Sequence, residues 1–250
     1  MHLVAAVSAD DAAVVVVIVA ARLLVPLLIP RFPLMIAAAF LLDAVDNGLL
    51  SGLTEVDLSP DGPYQSWDKA LDIYYLSIAY LSTMRNWTSR PAFRIGQFLF
   101  YYRLLGNVLF ELLQSRAMLL VFPNTFEFFF IAYEALRLRY DTTRVSTRTW
   151  LLLAAGLWVV IKLPQEYWIH IAQRDFTDTV ADHPWFGVAC ALVVVGALAA
   201  ARFLVRPRLP PPSHEWRLRA DALPVPLGQA RRRHALPAEL AEQVALLALL

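Results

Sequence analysis

An all-α, polytopic membrane protein is the fold class this sequence predicts, and three observations predict it. Hydrophobic residues make up 58% of the chain and charged residues only 17%, and the mean hydropathy is +0.52; a soluble domain carries roughly a quarter charged residues. The apolar residues gather in long runs, and 250 residues hold about seven crossings of about 20 residues each, with short loops and a tail. The loops between those runs alternate between acidic and basic along the chain. The formal charge of +1 hides that alternation.

The first span runs from about Ala12 to Pro30, with Arg22 a little past its middle. Asp10 and Asp11 stand before it in place of a basic leader, so no cleaved signal peptide is expected. Pro26 and Pro30 close the span, Arg31-Phe32-Pro33 makes a turn, and a second span covers Leu34 to about Leu53. Leu41 to Gly48 places Asp43, Asp46 and Asn47 inside that second apolar run. Counting from the turn, Arg22 and Asp43 lie within about 5 Å of the same depth, so an ion pair between them is expected, the alternative being that Arg22 snorkels to the nearer interface.

The loop from Thr54 to Trp67 carries Glu55, Asp57 and Asp61 and no basic residue. A third span is expected from Asp68, read as its N-cap, to about Met84, with Asp72 one turn inside on the same face. Arg85 to Arg94 is a basic loop. The fourth span, Ile95 to about Gln114, carries Arg103, Asn107 and Glu111 four residues apart, a single polar stripe. Ser115 to Phe122 is too short to cross and is read as interfacial or re-entrant. Asn124 and Glu127 have the spacing of a capping box opening a fifth span, Thr125 to about Leu138; a break near Ser115 with a longer fifth span fits almost as well.

Arg137, Arg139, Arg144 and Arg148 face one Asp141 in the next loop. The sixth span, Thr149 to about Ala172, holds Lys162, Gln165 and Glu166 around Pro164, which removes a backbone donor and kinks the helix. An acidic loop with Asp175, Asp178 and Asp182 precedes a small, apolar last span, Pro184 to Val205. Residues 1–205 thus form the transmembrane domain and 206–250 a mobile, Pro- and Arg-rich tail that touches anionic lipid. Basic loops lie on the cytoplasmic side, and all five loop and tail charges agree on an outside amino terminus and a cytoplasmic carboxyl tail. Lysine occurs only at Lys69 and Lys162, the rest of the 22 basic residues being arginine; this is read as the bias of a GC-rich, bacterial genome, and the location as a bacterial cell membrane.

In this topology the intramembrane polar residues crowd towards the outer side. They predict an outward-open chamber lined by Asp43, Asp46, Asn47, Asp72, Arg103, Asn107, Glu111, Glu127, Lys162, Gln165, Glu166 and His170, since acids persist in apolar spans where they meet water, a counter-charge or other helices. Acids outnumber bases there, so the surplus must be hydrated, protonated or matched by a cation. Carboxylates suit a divalent cation, with Asp43, Asp46 and Asp72 as candidate ligands. The D-x-x-D of 43–46 and D-x-x-x-D of 68–72 resemble the paired-aspartate motifs of prenyl-transferring membrane enzymes, in which metal holds a diphosphate; only these two stretches match.

Other chemistries lack their parts. Cys190 is the single cysteine, which excludes an intrachain disulfide and a CxxC redox site. Only His170 and His183 lie near the outer face, too few for a zinc hydrolase. No serine is paired with histidine for nucleophilic catalysis, and the last span has no lysine for retinal. The expected function is transport or binding of a cation, proton or small polar solute. The alternatives are an accessory subunit that contacts another membrane protein, and an enzyme on a lipid-linked or envelope substrate with Glu111 or Glu166 as base. The bilayer is an expected partner and nucleic acid is not.

Overall fold

The computed structural model describes residues 9–54, 63–113, 115, 117–168, 179–180, 182–200, 202–203, 206–209 and 211–220. All regular structure among them is helical. Three of the helical stretches are long and apolar enough to cross a membrane, Asp11–Leu28, Ala117–Arg137 and Thr147–Glu166. The described residues form two compact units, one ending at Thr88 and rejoined by the chain from Leu218, the other Ser89–Arg217.

In the first unit, α1 (Ala9–Leu24) tightens into a 3₁₀ turn at Val25–Leu28. Pro26 sits at the start of that turn, where a missing N–H costs nothing. The chain then reverses, with Arg31 and Phe32 N–H both donating to Leu28 C=O at 3.1 and 2.8 Å, and enters α2 (Met35–Leu53). α1 and α2 are therefore a helical hairpin. α3 (Pro63–Asn86) packs on it, and Leu71, Tyr75, Leu76, Ala79 and Tyr80 are buried along α3 at helical spacing. Two side chains of α3 reach the hairpin's backbone: Tyr74 OH donates to Leu23 C=O at 3.0 Å and Asn86 Nδ2 to Pro30 C=O at 3.1 Å. α3 begins before Asp68, so this residue lies inside the helix and is not its N-cap; Pro63 opens the helix in the place where proline is best tolerated.

In the second unit, α4 (Arg90–Leu113) starts with Pro91 in its first turn. α5 (Ala117–Val121) and α6 (Thr125–Arg137) lie within one apolar stretch, Ala117–Arg137, broken at Phe122–Asn124. Pro123 explains the break: its ring disfavours helical geometry at Phe122 and it offers no N–H. The short piece before Pro123 and the helix from Thr125 follow the first of the two readings, while Ala117–Arg137 taken whole is long and apolar enough to cross a membrane. Phe126, Phe129, Phe130 and Tyr133 bury one face of α6, with Phe126 edge-on to Phe100 of α4 and Phe129 edge-on to Trp150.

After α6, Asp141 accepts from Thr143 N–H and Oγ1 at 3.0 and 2.6 Å, and Ser146 Oγ caps α7 (Thr147–Gly156) by accepting from Thr149 N–H. The Thr143 hydroxyl, with help from its N–H and the Arg144 guanidinium, holds the Asp141 carboxyl below its ordinary range against a smaller opposing effect of burial. A lowered folded pKa adds stability above the unfolded pKa that disappears as pH falls through the folded value. Asp141→Asn is thus expected to lower the melting temperature slightly at pH 7 and by less as the pH is taken down through the acid range; an equal deficit at neutral and acid pH would refute the assignment.

α7 passes into a π-helical segment, Leu157–Lys162, before α8 (Leu163–Glu166), which contains Pro164. The wider winding lies immediately before Pro164, and such segments are a local feature common at functional sites. α9 (Pro184–Ala200) exposes Trp185, Val188, Leu192 and Val195, as suits a face turned to an apolar surrounding. Within the stretch 206–250, read from composition as a tail, the described residues 211–220 hydrogen-bond to earlier parts of the chain. In the second unit Ser213 and Arg217 N–H donate to Arg139 and Leu138 C=O at 3.0 and 3.2 Å, and in the first Ala220 N–H donates to Arg31 C=O at 3.0 Å. The acceptors beyond α6 are carbonyls that a helix end leaves without intrahelical partners.

Candidate functional site

The candidate residues are brought together in two buried sets, one in each unit. In the first unit the short α1–α2 turn makes the two helices antiparallel, and Asp43 and Asp46, three apart on α2, share a face. Arg22 of α1 projects at that face. Its guanidinium pairs with Asp43 through Nη2, with Asp46 through Nη1, and with Asp72 of α3 through Nη2 at 3.2 Å. The expected Arg22–Asp43 pair is present, and the structure adds two further carboxylates to it.

Solvent access divides the three acids. The Asp46 side chain is 4% exposed, whereas those of Asp43 and Asp72 are 23% and 19% exposed. The planar guanidinium presents donors in a fixed fork that serves several carboxylate oxygens at once and cannot be deprotonated at accessible pH. A metal reading of Asp43, Asp46 and Asp72 meets this obstacle, because Arg22 already occupies the point on which they converge. Among the described residues no group of three or more His, Cys, Asp or Glu side chains is placed to hold a metal ion.

In the second unit the break between α5 and α6 organises the polar groups. Tyr102 OH donates to Val121 C=O at 3.0 Å and Arg103 Nη1 to Phe122 C=O at 3.2 Å, so two successive residues of α4 serve the carbonyls that α5 leaves open. On the other side of the break Asn124 N–H donates to Glu166 Oε1 and its Nδ2 to Glu127 Oε2, both at 3.1 Å. Lys162 Nζ lies 3.9 Å from Glu127 Oε2 and 4.5 Å above the Phe128 ring. Asn124, Glu127, Lys162 and Glu166 are all buried.

These contacts follow the local electrostatics. Carboxylates sit at the α6 amino end, where helix N–H groups favour negative charge, and the cation Arg103 sits at the carbonyl end of α5. The capping box expected from Asn124 and Glu127 is not formed: the Asn124 side chain caps no backbone N–H, because its amide is turned to the Glu127 carboxylate. Buried Arg103 Nε and Asn124 Oδ1 remain without hydrogen-bond partners, leaving polar capacity beside the break.

The rest of the candidate set divides as follows. Asn107 is buried one turn beyond Arg103, but Glu111 is exposed, so the stripe leaves the interior before its last member. Gln165 is half-buried. The Asn47 side chain and His170 lie outside the described residues. Sequence reasoning did not single out Tyr102, whose hydroxyl joins Arg103 at the break, or the buried pair of Glu134 and Arg137 at 2.5 Å on α6; the three-residue spacing of that pair was its available signal. Comparison with family models, curated proteins and solved structures gives no match.

Proposed function

We propose that the protein is a multi-pass membrane protein of a bacterial cell membrane, crossing seven times with its amino terminus outside, and that it binds and passes protons at the Arg22–Asp43–Asp46–Asp72 set. The observation that carries this reading is the convergence of three carboxylates on one buried guanidinium, with Asp43 and Asp72 keeping access to solvent. Arginine holds its charge throughout, so the occupancy that can change is the proton count of the acids. Ionisable residues within apolar helices characteristically mark proton and ion routes.

The second unit supports the same reading. Broken helices are tolerated at membrane depth where protein groups or a cavity satisfy the freed backbone, and Arg103 and Glu166 do this on either side of Pro123. The test is proton flux into liposomes that hold the purified protein and a pH-sensitive dye, driven by a potassium diffusion potential. Wild-type vesicles are expected to acidify faster than empty ones, and Asp72→Asn, which keeps a hydrogen-bonding side chain beside Arg22, is expected to reduce the rate at least about tenfold, in line with loss of an essential proton-transfer group. Equal rates in protein-bearing and empty vesicles, or an unaltered rate in a folded Asp72→Asn protein, would remove the proposal.

A further inference from the structure

We infer that the cleft between the end of α6 and the returning chain at 212–216 is a binding site for the headgroup of an anionic phospholipid. This rests on the reading of Ala117–Arg137 as a membrane crossing. The cleft has a volume of about 610 Å³ and is lined by Arg139 and by Pro212, Ser213, His214, Glu215 and Trp216, a size suited to a small-molecule site. Arg139 is the second residue beyond the apolar stretch, which puts the cleft at the depth of the headgroups.

The site is built by backbone geometry. Ser213 and Arg217 N–H donate to the carbonyls of Arg139 and Leu138, fixing the returning chain against the helix end. The Arg139 guanidinium lies 5.3 Å above the Trp216 ring, and that ring is 66% exposed. A tryptophan paired with an arginine at the edge of an apolar span is the arrangement membrane interfaces select, the indole among headgroups and glycerol and the guanidinium on phosphate.

Charge complementarity identifies the occupant. Arg139 and Arg144 on the loop after α6, Arg148 in the first turn of α7 and Arg217 on the returning chain are exposed, against Asp141 and Glu215. The excess is positive on the side the loop charges assign to the cytoplasm, whose leaflet carries anionic lipid. Trp216 favours a lipid over a free phosphate, which would gain nothing from an exposed indole at the cleft's rim.

The test begins with flotation of the full chain on vesicles, then transfer into nanodiscs of mixed phosphatidylglycerol and phosphatidylcholine. Lipid retained after a detergent wash is counted by mass spectrometry. Wild type is expected to retain phosphatidylglycerol preferentially, and Arg139→Gln/Arg217→Gln to lose about fivefold of that preference for each arginine removed. Trp216→Ala should weaken retention of both lipids, while Arg94→Gln, an exposed arginine at the start of α4, should change nothing. An unchanged preference in the double variant, an equal loss in Arg94→Gln, or displacement of the lipid by inorganic phosphate would overturn the proposal. A chain that fails to float would overturn the membrane reading itself, before any lipid is counted.

Discussion

Replacing Arg22 by glutamine is expected to cost the folded protein about 3–5 kcal/mol, the range seen when one partner of a buried ion pair is removed. Three aspartates then face one another without the guanidinium that draws them together. The variant should aggregate on extraction or melt well below wild type by intrinsic fluorescence in detergent. Because the loss comes from carboxylates left in an unfavourable setting, adding Asp46→Asn, at the most buried of the three acids, should restore part of it. Lysine at position 22 should be intermediate, since one ammonium cannot reproduce the forked donor pattern. A glutamine variant that melts with wild type would show that Arg22 does not organise this set.

The second large effect is expected at Gly106. A β-carbon there would stand 2.2 Å from Phe122 Cβ and 2.9 Å from its Cγ. These atoms lie at the root of the phenylalanine side chain, so rotation cannot clear them and the backbone of the α5–α6 break must move. That backbone is held by Arg103 on the Phe122 carbonyl and by the Tyr102 ring, 4.6 Å from the Phe122 ring. Gly106→Ala should therefore destabilise by about 1–3 kcal/mol as an overpacked site, and Gly106→Leu by more. Substitution of Gly156, where a β-carbon meets nothing within 4 Å, provides the control. Equal melting temperatures for the two alanine variants would count against the close approach of α4 to the break.

The parts of this molecule legible in its sequence are those that local rules decide. Helical class, the turn at Pro30–Pro33 and the Arg22–Asp43 pair follow from apolar runs, proline placement and depth counted along two antiparallel helices. Asp46 was within reach of the same reasoning, being one turn from Asp43 on the same face. Asp43, Asp46 and Asp72 were grouped from the sequence as candidate ligands of one cation, but the pairing of Asp72 with Arg22 was not visible, because packing sets how α3 lies against the hairpin and reading Asp68 as a cap set the helix start too late. The break at Pro123 was visible as chain punctuation, but the residues that serve it were not: Tyr102, Arg103 and Glu166 reach Val121, Phe122 and Asn124 only through packing between helices.

The π-helical segment had no sequence signal either. An extra residue taken into a turn re-aims the face that follows, so side-chain placement around Lys162 and Glu166 could not be read from regular helical spacing. At 211–217 the hydrogen bonds to Leu138 and Arg139 were not visible in composition, for a related reason. Proline and arginine describe a chain that builds no core of its own, and say nothing of whether a neighbouring helix end offers it free carbonyls.

The hairpin of α1 and α2 bears on how the protein is made. Arg22 is synthesised well before Asp43 and Asp46 leave the ribosome, so for that interval the first apolar segment carries a cation whose partners do not yet exist. An apolar segment with a bare guanidinium inside it is poorly retained by lipid, whereas the closed hairpin conceals it. If the chain enters a bilayer, its first two helices are expected to do so as a unit, and nascent chains arrested before Asp43 to remain extractable by alkali.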